Sequence, residues 1–455
     1  NVNTAEGWES SYKVEYIPQV GTRMVNTDSA GGITIIEINN NGTRKVTYPD
    51  GTMATMAAGP DPRPGIDMRS PITKEFTIKT PAGLASTVTR ERMVEMDDVD
   101  DLFSVTKITD TVNNNGKEYK HTYDIDDASQ TVTVTTTTPE GRQTQSTLDW
   151  CGRLIKKVND FLQETSYTYD GKGHLTRVQQ GELSLAYTYD DMNRVTALQD
   201  AAGSTFRYEY NDADLLKSIT MPGGQTYAFS NDYNGNVTKI TMPSNAVHGL
   251  DYTEVDLAQS YTPPGNSNYQ KSYNRDRALT QLTLPSGRNV SYSFDATGRI
   301  GGIAYDTVSS SFAYNDFTNR VAGISRNPDG NSYNYLYDGA LITQMSASGK
   351  VTGSYSYRYD DNFNLVGFTL DGTPEFTLAY DNDGLLTQYG GFTIEHRGPL
   401  GAPSEISNGN MSVTYTYDTY GRPVERTNTV NGQQVYSLET GYDNAGMIKS
   451  RKETV

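Results

Sequence analysis

At 455 residues the chain is long enough for two or three ordinary domains, yet only 35% of it is hydrophobic, low for an enzyme built round one compact core. Its formal charge of −17 argues against nucleic acid or an anionic membrane as partner and reads as solubility of a large surface, with attraction of a basic partner or cargo as the sharper alternative. The single cysteine, Cys151, excludes an intramolecular disulfide and a cysteine-built zinc site, and no apolar run approaches the roughly twenty residues of a membrane span.

The chain opens at Asn1 rather than Met, shows no signal peptide, and stops at Val455 soon after a motif copy. That reads as a fragment or processed product of a longer array. Residues 1–120 alternate less regularly, but Ile33 to Asn39 and Arg44 to Tyr48 have the period of strands. Pro49-Asp50-Gly51 and Pro81-Ala82-Gly83 are turns, and the stretch from Gly59 to Gly65 is a loop or linker. This region is expected to be a divergent β-rich start or capping segment, with the array proper at 121–455, truncated at its C-terminal end.

Within the array a Tyr-Asp phrase returns about every twenty-one residues. It reads Tyr169-Asp170 with Gly173, then Tyr189-Asp190, Tyr210-Asn211, Phe294-Asp295 with Gly298 and Arg299, and Tyr359-Asp360. It continues as Tyr380-Asp381 with Gly384, Tyr417-Asp418 with Gly421, and Tyr442-Asp443 with Gly446. A weaker copy falls at Ile394-Glu395 with Gly398. A fixed period of this length is the mark of a repeat array. A second punctuation, Pro-x-Gly, sits between copies at Pro139, Pro222, Pro285 and Pro328, so each repeat holds two turns and two short strands. Asp first and Gly fourth is the type I turn preference, and Gly admits the positive φ of a bulge. The fold class expected is all-β: a long antiparallel ribbon of hairpin repeats with little helix.

Tyrosine is the most telling residue, with 33 copies beside 12 Phe and 2 Trp. Pairs such as Tyr167/Tyr169, Tyr208/Tyr210 and Tyr355/Tyr357/Tyr359 put rings on one strand face. In matching register they would stack into ladders, each pair contributing roughly 0.2–1 kcal/mol.

These phrases, about a dozen in phase from Tyr123 to Gly446, resemble the Rhs or YD-repeat family. That family includes bacterial polymorphic toxins, the B and C components of insecticidal ABC toxin complexes, and animal teneurins. The resemblance implies a β-ribbon coiled into a hollow shell that encloses a toxin segment or supports an adhesion module. Residues 123–455 hold about 16 repeats, a ribbon roughly 150 Å long, or about one spiral turn roughly 50 Å across. The Asp-Pro core that closes and self-cleaves the toxin shells is missing after Tyr380, so autoproteolysis and toxicity are not carried over.

The carboxylates are explained by turns. Asp170, Asp190, Asp295, Asp360, Asp381, Asp418 and Asp443 share one turn position. Asp97 to Asp101 reads as a solvated loop, with calcium as the alternative. Asp381-Asn382-Asp383-Gly384 begins like an EF-hand loop but lacks the twelfth-position Glu. His121, His174, His248 and His396 are scattered, and Cys151 reads as a small buried residue. No catalytic residue, cofactor or metal site is expected. The expected function is a structural shell segment of a larger secreted or cell-surface protein, its partner the rest of its own chain or a cargo polypeptide. The alternative is an extracellular module binding glycan or protein through exposed Tyr rows, and a hidden carbohydrate-active enzyme ranks third.

Overall fold

The computed structural model describes residues 1–265 and 267–455. Among them 41 strands run from Val2–Asn3 to Ile448–Thr454, and the helical element is the short 3-10 turn Pro399–Gly401. Every strand pairs antiparallel with its neighbours in sequence, giving one continuous meander. The array strands are five to eight residues long in most repeats, while Asp67–Lys79 and Ala85–Met96 reach 13 and 12.

The strands form because the sequence alternates. In Thr226–Asn231, Thr226, Ala228 and Ser230 are exposed, while Tyr227, Phe229 and Asn231 are half-buried on the other face. Asn289–Phe294 repeats the pattern with Val290, Tyr292 and Phe294. One face is therefore aromatic and one is polar. No hydrophobic side chain among the described residues is fully buried. The accessible surface is 26761 Å², against about 17,000 Å² for a compact monomer of this mass. The sheet is a single-layer wall.

The wall coils on itself. In a meander, alternate turns lie on opposite edges of the ribbon, and every Tyr-Asp turn falls on the same edge. The Pro-x-Gly turns fall on the other. The turn holding Glu6 follows the first strand and meets Arg275, which follows the twenty-fourth. Likewise Asp50, after the fifth strand, meets Arg320, after the twenty-eighth. The coil therefore closes after twenty-three strands at these contacts and after twenty-five where Asn319 meets Asp28 and Gln163 meets Thr419. Both numbers are odd, as the meander requires, since the Tyr-Asp edge of one winding must meet the opposite edge of the other. At about 4.8 Å per strand this gives a coil roughly 35 Å across. The expected turn of roughly 50 Å is thus too wide. It assumed that the whole array makes one circuit, whereas contacts across the seam end the circuit sooner.

Candidate functional site: Tyr-Asp turns and the seam

Each Tyr-Asp turn is built the same way. At Asp170 the Gly173 N–H donates to Asp170 O at 3.0 Å, closing a type I turn, and the ladder slips by one residue between Thr168 and Tyr169. The fourth-position glycines Gly173, Gly298, Gly384, Gly421 and Gly446 have φ from +80° to +91°, where a Cβ would be strained. Elsewhere Asn193 and Asp214 occupy the same left-handed region. The aspartate caps the loop. Asp190 Oδ1 accepts from Met192 N–H at 3.0 Å and Arg194 N–H at 2.9 Å, and Asp443 does the same for Ala445 and Met447. Asp360 accepts from the N–H groups of Asn362 and Asn364, both at 2.9 Å.

These bonds set the acidity. Hydrogen bonds from His174, backbone first, hold Asp170 down at about 2. Burial alone would raise Asp295, but bonds from Thr297 and Arg299 outweigh it and hold it at about 2 as well.

The arginine that follows ties one repeat to the next. Arg194 Nε donates to Asp190 at 2.8 Å, and its guanidinium lies 4.6 Å from the ring centre of Tyr210. Tyr210 donates its hydroxyl to Val195 O, the residue after that arginine, at 2.8 Å. The same link joins Asp149, Arg153 and Tyr169, then Asp295, Arg299 and Tyr314, and Asp418, Arg422 and Tyr442. Where the arginine is replaced, the hydroxyl bond persists: Tyr189 to Leu175 O, Tyr359 to Ile342 O, Tyr380 to Leu365 O, Tyr417 to Pro403 O. Burial pushes the hydroxyls of Tyr210, Tyr380 and Tyr417 up from the ordinary phenol range, which keeps them protonated donors. Phe294 lacks a hydroxyl and packs against Trp8 instead, at 6.2 Å.

Tyrosine on tyrosine is therefore not the general rung. Ring-on-ring packing runs from Tyr357 and Tyr355 through Phe368 and Phe376 to Tyr389, and includes Tyr261 with Tyr269. Beside Tyr169, Tyr210, Tyr314, Tyr337 and Tyr442 the neighbouring group is an arginine. The sequence held this signal in the arginine at the sixth motif position, seen in Arg299 and Arg422. Cys151 is exposed rather than buried, because it occupies the third position of the Asp149 turn and projects from the ribbon edge.

The second set of bonds crosses the seam. Thr80 Oγ1 donates to Asp338 Oδ2 at 2.6 Å, and Ala82 N–H donates to Asp338 Oδ1 at 2.7 Å. Thr138 and Glu140 repeat this geometry on Asp383, at 2.7 and 3.0 Å. Both donors lie in a Thr-Pro-x-Gly turn, where Pro presets the bend and leaves the next N–H free to face the other winding. Asp338 and Thr80 are buried at 6% and 5% exposure, among the few buried polar residues of the wall. Arg142 adds ion pairs to Asp381 and Asp383, and Arg320 bonds Asp50 at 2.6 Å. At one end Trp8 lies over Gly298, where a Cβ would stand 2.5 Å from the indole.

The remaining candidates do not assemble. Asp98 and Asp101 cap their own loop through Asp100 N–H and Phe103 N–H. His121 and His248 bond to Thr136 and Tyr261 in different repeats. Among the described residues no group of three or more His, Cys, Asp or Glu is placed to hold a metal ion.

A one-layer ribbon whose edges dock on one another is a coiled β-shell. The teneurin YD-shell family model matches residues 4–455, and the chain belongs to that family. Teneurin-3 of Danio rerio is 25% identical over 306 residues, 64% of this chain and 11% of the relative. Teneurin-4 of Homo sapiens gives the same figures, and Teneurin-m of Drosophila melanogaster is 24% identical over 321 residues, again 11% of its length. The chain thus spans about a tenth of the curated relatives it matches. Among solved structures, the TcdB2-TccC3-Cdc42 crystal structure is similar with TM-score 0.39 and 12% identity over 96% of this chain and 27% of that one.

Proposed function

We propose that this shell segment encloses or presents an associated polypeptide, a cargo or an adhesion module, within a larger secreted or cell-surface protein. The observation that carries the reading is the seam: a wall without a buried hydrophobic side chain among the described residues docks on itself every twenty-three to twenty-five strands and so separates two faces. The aromatic face is the less exposed one. It is the surface offered to a contained chain. The motif carboxylates are used in turn caps and seam bonds, which supports a role without catalysis. Residues 1–120 serve as the divergent start of the shell, docked under the second winding.

Reagent size tests the separation. In a Cys151→Ser background, Val290→Cys and Ser291→Cys place thiols on opposite faces of one strand. A small maleimide should reach both, and a maleimide on a long polymer only one. Equal reaction of both with the large reagent would sink enclosure. The partner-binding alternative rests on Tyr12, Val14 and Tyr16, a row on Glu9–Ile17 that is exposed at 63%, 68% and 73%. Loss of partner or glycan binding on Tyr12→Ala with Tyr16→Ala would favour it.

A further inference from the structure

One repeat departs from the tyrosine latch. In its turn Gly398 N–H donates to Ala402 O at 2.9 Å and Gly401 N–H donates to Gly398 O at 3.1 Å. The preceding repeat makes the same two bonds, from Asp381 to Leu385 and from Gly384 to Asp381. Glycine thus stands where the other turns carry a capping aspartate, asparagine or threonine, and no side chain at that position caps this loop. Arg397 occupies the tyrosine's place in sequence but points to solvent. His396, one residue earlier, lies on the face shared by Phe392 and Ile394. Its Nε2 is 2.8 Å from Leu386 O. Leu386 stands five residues after Asp381, the offset at which Tyr210, Tyr380 and Tyr442 find their carbonyls. Histidine has taken over the latch. Its Nδ1 is 2.7 Å from Gly401 O, inside the turn that lacks its aspartate.

Both partners are carbonyl oxygens, which only accept. A neutral imidazole has one N–H and one lone pair, so it serves one carbonyl and turns a lone pair on the other. The imidazolium donates to both. We propose that His396 is a proton-dependent latch in the wall. Protonated, it ties its own turn to the preceding repeat. Deprotonated, it releases one carbonyl and loosens residues 386–402 at the seam, beside a cavity of about 670 Å³ lined by Arg142, Phe161, Leu385 and Leu400.

The charged surroundings are mixed. From the first winding come Lys117, Glu140, Arg142 and Asp160, and from the second Asp381, Asp383, Glu395, Arg397 and Glu405. Arg142 is paired with Asp381 and Asp383, Arg397 with Glu395, and Lys117 Nζ donates to Asp381 O. No arginine is left unpaired against the ring. Tyr119, near the same aspartates, is kept neutral by burial, and Tyr417 is bonded to Pro403. Latches built on tyrosine have no titration in this range, so the device is confined to one repeat.

Hydrogen exchange read by mass spectrometry, corrected for intrinsic chemistry, tests this on the whole chain. Between about pH 5 and pH 8, amide protection in 386–402 should fall about tenfold, the worth of one charge-assisted bond. The tyrosine-latched segment 365–380 should stay level. His396→Tyr and His396→Gln should each flatten the response of 386–402, and the glutamine variant carries the test if the tyrosine variant does not fold. A wild-type segment without its own pH response overturns the latch, as does a response that survives in either folded variant.

Discussion

The same Tyr-Asp turn meets two surroundings in this molecule. Across residues 149–257 it caps its own loop and holds its neighbour, and nothing among the described residues docks on it from the other winding. Across residues 274–446 it makes the same local bonds and also lies on the Pro-x-Gly edge of the first winding. Asp190 is satisfied within its own repeat, whereas Asp338 spends its oxygens on Thr80 and Ala82, some 256 residues away. The motif thus separates into a local job, shaping and linking hairpins, and a long-range job, closing the coil.

The largest expected effect comes from cutting the long-range job. Asp338→Ala strands a buried hydroxyl and a backbone N–H, and should cost about 2–3 kcal/mol in urea denaturation. Asp190→Ala removes a more exposed cap and should cost clearly less. Equal losses would abolish the distinction between the windings. Next come the glycines. Gly152→Ala meets open space, so only its φ of +77° opposes the change, at about 1 kcal/mol. Gly298→Ala meets Trp8 as well, and should lose more and raise Trp8 fluorescence sensitivity to quenchers. Tyr210→Phe and Tyr380→Phe should behave alike, each losing about 1 kcal/mol, because the hydroxyl latch is local in both windings. A clear difference between them would show that the seam also feels the latch.

The smallest effect per residue is acid. Asp170 and Asp295 titrate at about 2 when folded, below the ordinary carboxylate value. A depressed folded value means stability that is present above the unfolded value and lost as pH falls through the folded one. Both windings should therefore weaken together between about pH 4 and pH 2, as followed by circular dichroism.

The period, the two turns and the β-ribbon were legible because turn chemistry is local. Asp170 and Gly173 declare their bonds within five residues. The seam was not legible, since Thr80 and Asp338 belong to different repeats with no shared period. Thr-Pro-x-Gly at Thr80 and Thr138 was visible as a turn, but the use of its threonine depends on which aspartate lies above. The tyrosine rows misled in part: alternation puts Tyr208 and Tyr210 on one face, yet the guanidinium of Arg194 fills the space beside Tyr210. The role of His396 was not legible because it follows from a missing aspartate and a one-residue slip.

Between the turn after the seventh strand and the turn after the thirtieth, the ribbon closes in twenty-three strands. Spin labels on Ala82 and Ala340, in a Cys151→Ser background, would face each other across one hydrogen-bonded seam. Double electron–electron resonance should give a single short, narrow distance. A separation approaching the roughly 110 Å of twenty-three strands laid flat would contradict the coil.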